Sequence, residues 1–158
     1  MAGLAGQWKG IETMNTIRVK KLHPNAVLPT YGSQEAAGAD LYACLEEAVT
    51  IQPGEIFWVS TGIALEVPKG CAGLVYARSS LGAKRGLAPA NKVGVVDSDY
   101  RGEVKVVLLN HSKQPQTLQP GERVAQFVIT PVLQPMYEEV AELTDTNRGA
   151  GGFGSTGK

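Results

Sequence analysis

Residues 56–77 read IFWVSTGIALEVPKGCAGLVYA. Two apolar runs rich in Val, Ile and aromatic residues, Ile56 to Val67 and Cys71 to Ala77, flank Pro68-Lys69-Gly70. Such residues fit a pleated surface. A proline with fixed φ next to a glycine free to take positive φ is the chemistry of a tight turn. The same punctuation recurs at Pro53-Gly54 and Pro120-Gly121, and all three are expected to form hairpin connections. Further strand-like runs lie at Ile17 to Leu22, Asp40 to Cys44, Val49 to Ile51, Val104 to Asn110 and Arg123 to Val132. Their spacing suits a β-sandwich or barrel.

Composition agrees with that reading. Nineteen glycines and nine prolines against three phenylalanines favour many turns and short elements over long helices. At 158 residues the chain fits one domain. Fifteen basic and fifteen acidic side chains cancel, which argues against duplex DNA or an anionic membrane as main partner. No apolar run reaches the about 20 residues of a membrane span, and no charged-then-apolar leader opens the chain. A cytoplasmic protein is expected. Cys44 and Cys71 lack metal-ligand spacing, so two buried thiols are expected rather than a zinc site or a disulfide.

The domain divides into three parts. Residues 1–13 show no sustained period and are expected to be a leader or extension, residues 14–135 the β domain, and residues 136–158 a mobile, glycine-rich C-terminal arm. Val104 to Leu109 and Val124 to Ile129 are apolar at successive positions rather than alternating, so both faces of these strands are expected to be covered. In a domain of zero net charge a second covered face is often a subunit interface, so a homo-oligomer is expected, with an internal second layer as the competing explanation. One short helix is expected over Ser80 to Gly86, with a serine capping its start and Gly86 stopping it.

Three segments carry candidate chemistry. The end of the chain, Arg148 to Lys158, reads RGAGGFGSTGK and formally satisfies both G-x-x-x-x-G-K and G-x-G-x-x-G. Neither phosphate-loop reading stands, because no helix follows whose N-terminal N–H groups would hold phosphate. In Tyr76 to Gly82, Arg78 precedes two hydroxyls, Ser79 and Ser80, at the expected helix start. That juxtaposition suits a phosphate, although taken alone it fits a capped helix with a solvated arginine better, since serine-capped helices are far commoner than anion sites. In Asn91 to Gly102, Gly94, Asp97, Ser98, Asp99 and Gly102 indicate a turn-rich hairpin. Its backbone donors and acceptors could read the edge of a flat base such as uracil, although a plain β-turn with two exposed aspartates accounts for the same residues. The spacing of Asp97 and Asp99 decides nothing about a paired acid and base, since a turn would splay them apart.

Five stretches, in order, resemble the five motifs of the trimeric deoxyuridine triphosphatases: Ala37 to Ala43, Ala77 to Gly82, Gly94 to Gly102, Gly121 to Gln126 and Arg148 to Gly157. Together they cover the chain from about Met14 to its end. The resemblance implies a distorted jelly-roll or β-barrel subunit with one short helix, a homotrimer, and active sites shared between chains. It also implies hydrolysis of dUTP to dUMP and pyrophosphate with Mg2+, which keeps uracil out of DNA and supplies dUMP for thymidylate synthesis.

On the same resemblance, Asp97 is the base for a water attacking the α-phosphorus. Asp40 holds the Mg2+ through its water shell, which fits the reluctance of that ion to dehydrate. Arg78, Ser79 and Ser80 contact phosphate, and Gln126 with Arg123 faces it too. Many relatives have glycine where this chain has Ser80. Asn91, the segment Val95, Val96 and Asp97, and Lys105 match positions that contact the nucleoside and its phosphates. Tyr100 is similar to a gate that excludes ribose by collision with the 2′-hydroxyl. Arg148, Phe153, Gly154, Ser155 and Thr156 belong to an arm that closes over bound nucleotide, with Phe153 stacked on the uracil. Without the resemblance, Asp40 reads as a strand-edge turn residue and Tyr100 as a core aromatic. Two other classes compete: a related dCTP deaminase, which would need a glutamate-centred site, and a non-catalytic regulatory protein, which predicts damage at Asp97 or loss of the arm. Asp97 and the arm are both intact.

Overall fold

The computed structural model describes residues 16–152. The expectations for residues 1–13 and for Phe153, Gly154, Ser155 and Thr156 lie outside the described residues. Twelve strands and one helix occur among the described residues. The strands are β1 (Val19–Lys21), β2 (Thr30–Tyr31), β3 (Ala39–Tyr42), β4 (Val49–Ile51), β5 (Ile56–Ser60), β6 (Ile63–Leu65) and β7 (Cys71–Tyr76). After α1 (Ser79–Arg85) come β8 (Leu87–Pro89), β9 (Gly94–Val96), β10 (Lys105–Asn110), β11 (Gln116–Leu118) and β12 (Arg123–Pro131).

These form sheets of order β2-β3-β12-β7-β9, β5-β10-β8, β1-β6 and β11-β4. The architecture is all-β, as expected, but most of its pairing is non-local. Only β2 and β3 are both sequence neighbours and ladder partners among the described strands. Gly54, Gly70 and Gly121 do take positive φ, at 78°, 81° and 75°. The Pro-Gly turns are therefore real, yet none is a hairpin: each hands the chain from one sheet to another. That is how a jelly-roll wraps its strands.

The expected continuous strand Ile56 to Val67 is broken. Gly62 has a φ of 68°, and the Thr61 hydroxyl donates to the Val104 carbonyl. β5 consequently pairs with β10, and β6 leaves to pair with β1. Strands β2, β8, β9 and β11 carry too few apolar residues to declare themselves by pattern.

The core is a continuous cluster that includes Leu41, Ile51, Val59, Ile63, Leu87, Val106, Leu108, Leu118 and Val124. Asn110, buried beside it, is satisfied: Nδ2 donates to the Ile51 and Gln114 carbonyls, each at 2.9 Å, and Oδ1 accepts from Ser112. β12 is covered or half-covered along nearly its whole length, as its composition predicted. β10 instead alternates within one chain, with Val106, Leu108 and Asn110 buried and Lys105 exposed. The ring of Phe127 fills the space over Gly73, where an added Cβ would lie 2.1 Å from Cζ. Cys71 is buried, whereas Cys44 is only half-buried, and both are free thiols.

The helix starts one residue before its expected position, and Arg78 rather than a serine occupies its N-cap, with no side-chain capping bond. The reason is local: the Ser80 hydroxyl accepts from Arg78 Nη1 at 3.0 Å instead of from a helix N–H. Gly86 ends the helix as expected, in the left-handed region with a φ of 68°. No helix among the described residues is long and apolar enough to cross a membrane. Beyond β12, residues 133–150 carry no strand or helix and are almost wholly exposed, Met136 and Tyr137 most of all.

Candidate functional site

β9 is the edge strand of the five-stranded sheet. It pairs with β7 through Gly94↔Val75, Val95↔Leu74 and Val96↔Gly73, and no strand among the described residues lies on its other side. An unpaired sheet edge presents a row of backbone donors and acceptors. Beside it lies an open cleft of about 620 Å³, lined by Asn91, Val95, Val96, Asp97, Tyr100 and Lys105 together with Trp58, Val75, Gly94, Glu103, Val104 and Val107. Six of the residues expected in the site are thus brought together. Asp97 follows the last residue of β9, is exposed, and its carbonyl accepts from the Tyr100 N–H at 3.2 Å. The Tyr100 hydroxyl donates to the Glu103 carbonyl at 3.0 Å, which fixes the ring at the cleft rather than in the core.

A second group gathers where β3, β12 and β7 run side by side. The ladder sets Gln126 opposite Asp40 on one side and opposite Tyr76 on the other. Asp40 is 8% exposed, so its charge requires partners. Arg78 Nε donates to Oδ1 at 2.7 Å and Arg123 Nη1 to Oδ2 at 3.3 Å. Gln126 Nε2 donates to the Ala77 carbonyl at 2.9 Å. Its side chain lies over Gly38, where a Cβ would come within 2.9 Å of Oε1. A β-bulge between Arg123 and Ala125 bends the strand next to this cluster, as bulges near functional sites do. Next to it a cleft of about 330 Å³ is lined by Arg78, Ser80, Leu81, Lys84, Arg85, Glu122 and Arg123. Four basic side chains against one carboxylate make this cleft suited to an anion.

The remaining expected residues fall outside both groups. Ser79 is exposed and lines neither cleft, and Arg148 lies on the exposed arm, where its Nε donates to the Gly151 carbonyl at 2.7 Å. Sequence reasoning missed Trp58 and Glu103 in the first cleft, and Lys84 and Arg85 in the second. Trp58 is 65% exposed and reaches the cleft only because β5 pairs with β10. Arg85 had a visible signal, a basic residue in the last turn of the helix. It donates to Gln116 Oε1 at 3.1 Å, to the Thr117 carbonyl and to Glu122, tying the turn before β12 to α1.

Among the described residues no group of three or more His, Cys, Asp or Glu side chains is placed to hold a metal ion. Asp40 already accepts from two arginines. This donor set does not build a dedicated metal cage. It does fit a hydrated divalent ion that arrives on phosphate oxygens and needs a single carboxylate near its water shell.

Residues 24–157 match the dUTPase family model. The chain is similar to the deoxyuridine 5'-triphosphate nucleotidohydrolase of Nautilia profundicola, with 49% identity over 142 residues, 90% of this chain and 99% of the relative. Among solved structures it is similar to a mutant dUTPase of Staphylococcus bacteriophage 80alpha with dUpNHpp, with a TM-score of 0.81 and 28% identity, covering 91% of this chain and 99% of that one. A mutant dUTPase from phage phi11 of S. aureus, described for the coordination of a structural Mg(II) ion, aligns with a TM-score of 0.75 and 25% identity, over 83% of this chain and 100% of that one.

Proposed function

The chain belongs to the dUTPase family, and from that premise we propose how its residues carry out the hydrolysis of dUTP to dUMP and pyrophosphate. The observation that carries the reading is the open edge of β9 facing the cleft that ends at Asp97 and Tyr100. The uracil edge pairs with the backbone of Val95 and Val96 beside Asn91, and the sugar lies against the Tyr100 ring, which leaves no room for a 2′-hydroxyl. Lys105 meets the phosphates at the mouth of the same cleft.

Asp97 orients a water and takes its proton as the water oxygen bonds to the α-phosphorus. The bond from that phosphorus to the bridging oxygen breaks, and pyrophosphate leaves. Arg78, Ser79, Ser80, Arg123 and Gln126 receive the phosphates, where fixed donors stabilise the charge that moves onto the leaving group. When bound with the phosphates, Mg2+ would supply charge neutralisation, and Asp40, held by its two arginines, would be the residue to hold it through its water shell.

The nucleoside group and the phosphate group occupy separate clefts of one chain. A shared site in a homotrimer unites them, each chain offering one group to its neighbour. The exposed apolar residues Leu133, Met136, Tyr137, Val140 and Leu143 support docking of the arm on another copy. Arg148, Phe153, Gly154, Ser155 and Thr156 would then close over the nucleotide. The test is pyrophosphate release from dUTP, dTTP, dCTP and UTP, with and without Mg2+. Release from dUTP alone, dependent on Mg2+, is expected. Equal release from UTP or dTTP would overturn the pocket assignment.

A further inference from the structure

We propose that Glu103, which no site motif includes, is a positioning residue that pre-sets Lys105 and Tyr100 for nucleotide. The proposal rests on the placement of those two residues in the nucleoside cleft argued above. Three contacts converge on Glu103. Its Oε1 accepts from the Gly62 N–H at 2.9 Å, its Oε2 lies 3.6 Å from Lys105 Nζ, and its carbonyl accepts from the Tyr100 hydroxyl at 3.0 Å. The carboxylate is largely covered, at 22% exposure against 45% for Lys105, so the acid is the fixed partner and the amine the guided one.

The anchor itself cannot shift. Gly62 is boxed in by Ala26, Cys44 and His23, where an added Cβ would come within 2.9 to 3.2 Å of each. The adjoining backbone is tied twice more, by Val104 N–H to the Ile63 carbonyl at 2.9 Å and by the Thr61 hydroxyl to the Val104 carbonyl. Glu103 thus links the half-exposed side chains of Lys105 and Tyr100 to the closely packed turn between β5 and β6.

Two effects oppose each other. A carboxylate near the phosphates repels them, yet at this open mouth salt screens that repulsion. A lysine left unguided must instead be ordered when substrate binds, which costs side-chain entropy. The ordering effect wins, so removing the charge weakens binding.

The experiment is steady-state hydrolysis of dUTP with Mg2+ by full-length Glu103→Gln, Lys105→Met and the double variant. Gln keeps the acceptor for Gly62, so the fold is retained. Glu103→Gln is expected to raise KM about three- to tenfold with kcat little changed. Lys105→Met should raise KM at least as much, and the double variant should be no worse than Lys105→Met alone. Full additivity of the two losses, or an unchanged or lower KM in Glu103→Gln, would overturn the proposal while leaving Lys105 a ligand. An unchanged KM in Lys105→Met would overturn the assignment of Lys105 itself and the proposal with it. If Glu103→Gln unfolds, Glu103→Asp, too short to span Gly62 and Lys105 together, carries the same comparison and the same outcomes.

Discussion

Asp40 and Gln126 face each other across the ladder of β3 and β12, and that one register position puts Asp40 within reach of Arg78 and Arg123. A slip of one residue would turn Asp40 to the opposite side of the sheet, away from Arg78 and Arg123. Asp40→Asn keeps the shape but removes the charge that holds both guanidinium groups. We expect a loss of about 1–3 kcal/mol in unfolding free energy, read by denaturant titration. A fall in kcat should accompany it, together with a higher Mg2+ requirement. Wild-type kinetics at saturating and limiting Mg2+ would remove Asp40 from the mechanism.

Asp97 sits one residue past an edge strand with its carboxylate exposed to the cleft, so its replacement leaves the base pocket intact. Asp97→Asn should lower kcat about a hundredfold or more, while calorimetry finds dUTP bound with affinity close to wild type. Equal losses in binding and turnover would mean that Asp97 shapes the pocket rather than acting on water.

What the sequence disclosed and what it concealed divide along a physical line. Pro53-Gly54, Pro68 to Gly70 and Pro120-Gly121 were legible as turns because turn conformation is set by the residues themselves. Their partners were not, since β4 pairs with β11 and β5 with β10, and no local pattern encodes which distant strand closes a ladder. The break at Gly62 had a signal, a glycine inside a strand-like run, that the apolar residues on either side outweighed. The Asn91 to Tyr100 part of the site was readable as one contiguous segment. The cluster of Asp40, Arg78 and Gln126 was reached only through family resemblance, because strand register assembles it. Trp58 escaped both routes because its place at the cleft depends on the pairing of β5 with β10, and Glu103 because its anchor, the Gly62 N–H, lies 41 residues away in the chain.

Cys44 provides a test away from the nucleotide. Its Sγ lies 3.4 Å from His23 Nδ1, and that nitrogen also receives the Asn25 N–H at 3.2 Å. It is therefore an acceptor, and the thiol is the proton donor. Burial, and then the charges of Glu103 and Glu46, push the Cys44 pKa up, with Lys21 opposing. Because the folded value lies above the unfolded one, this stabilisation is fully present below the unfolded pKa and is lost as pH rises through the folded pKa. Alkylation of Cys44 by iodoacetamide in the native protein at neutral pH should be slower than in the unfolded chain, and should accelerate only at strongly alkaline pH. Rapid alkylation at neutral pH would show a thiolate and contradict this assignment of protons.

Shortening the chain tests whether the C-terminal arm serves catalysis and not stability. No buried core residue lies beyond Phe127 among the described residues. Ending the chain after Asn147 should therefore change unfolding free energy by no more than about 0.5 kcal/mol. Turnover should fall about tenfold or more, because closure over substrate is lost. Unchanged turnover in the truncated protein would remove the arm from the site.

Gly102 tests the sugar gate. A Cβ at this position would lie 2.4 Å from the Tyr100 hydroxyl oxygen and 2.6 Å from Cζ, closer than atoms can approach. The colliding atoms are the far end of a side chain that is 46% exposed, so the ring yields and the backbone does not. Gly102→Ala should therefore cost little stability while breaking the bond from Tyr100 to the Glu103 carbonyl and tilting the ring off the sugar. The ratio of kcat/KM for UTP to that for dUTP is expected to rise about tenfold. Tyr100→Phe, which loses the hydroxyl but keeps the ring in place, should raise it less. If Gly102→Ala leaves the ratio unchanged while the thermal midpoint shows the fold intact, discrimination against ribose resides elsewhere in the cleft and Tyr100 is not its gate.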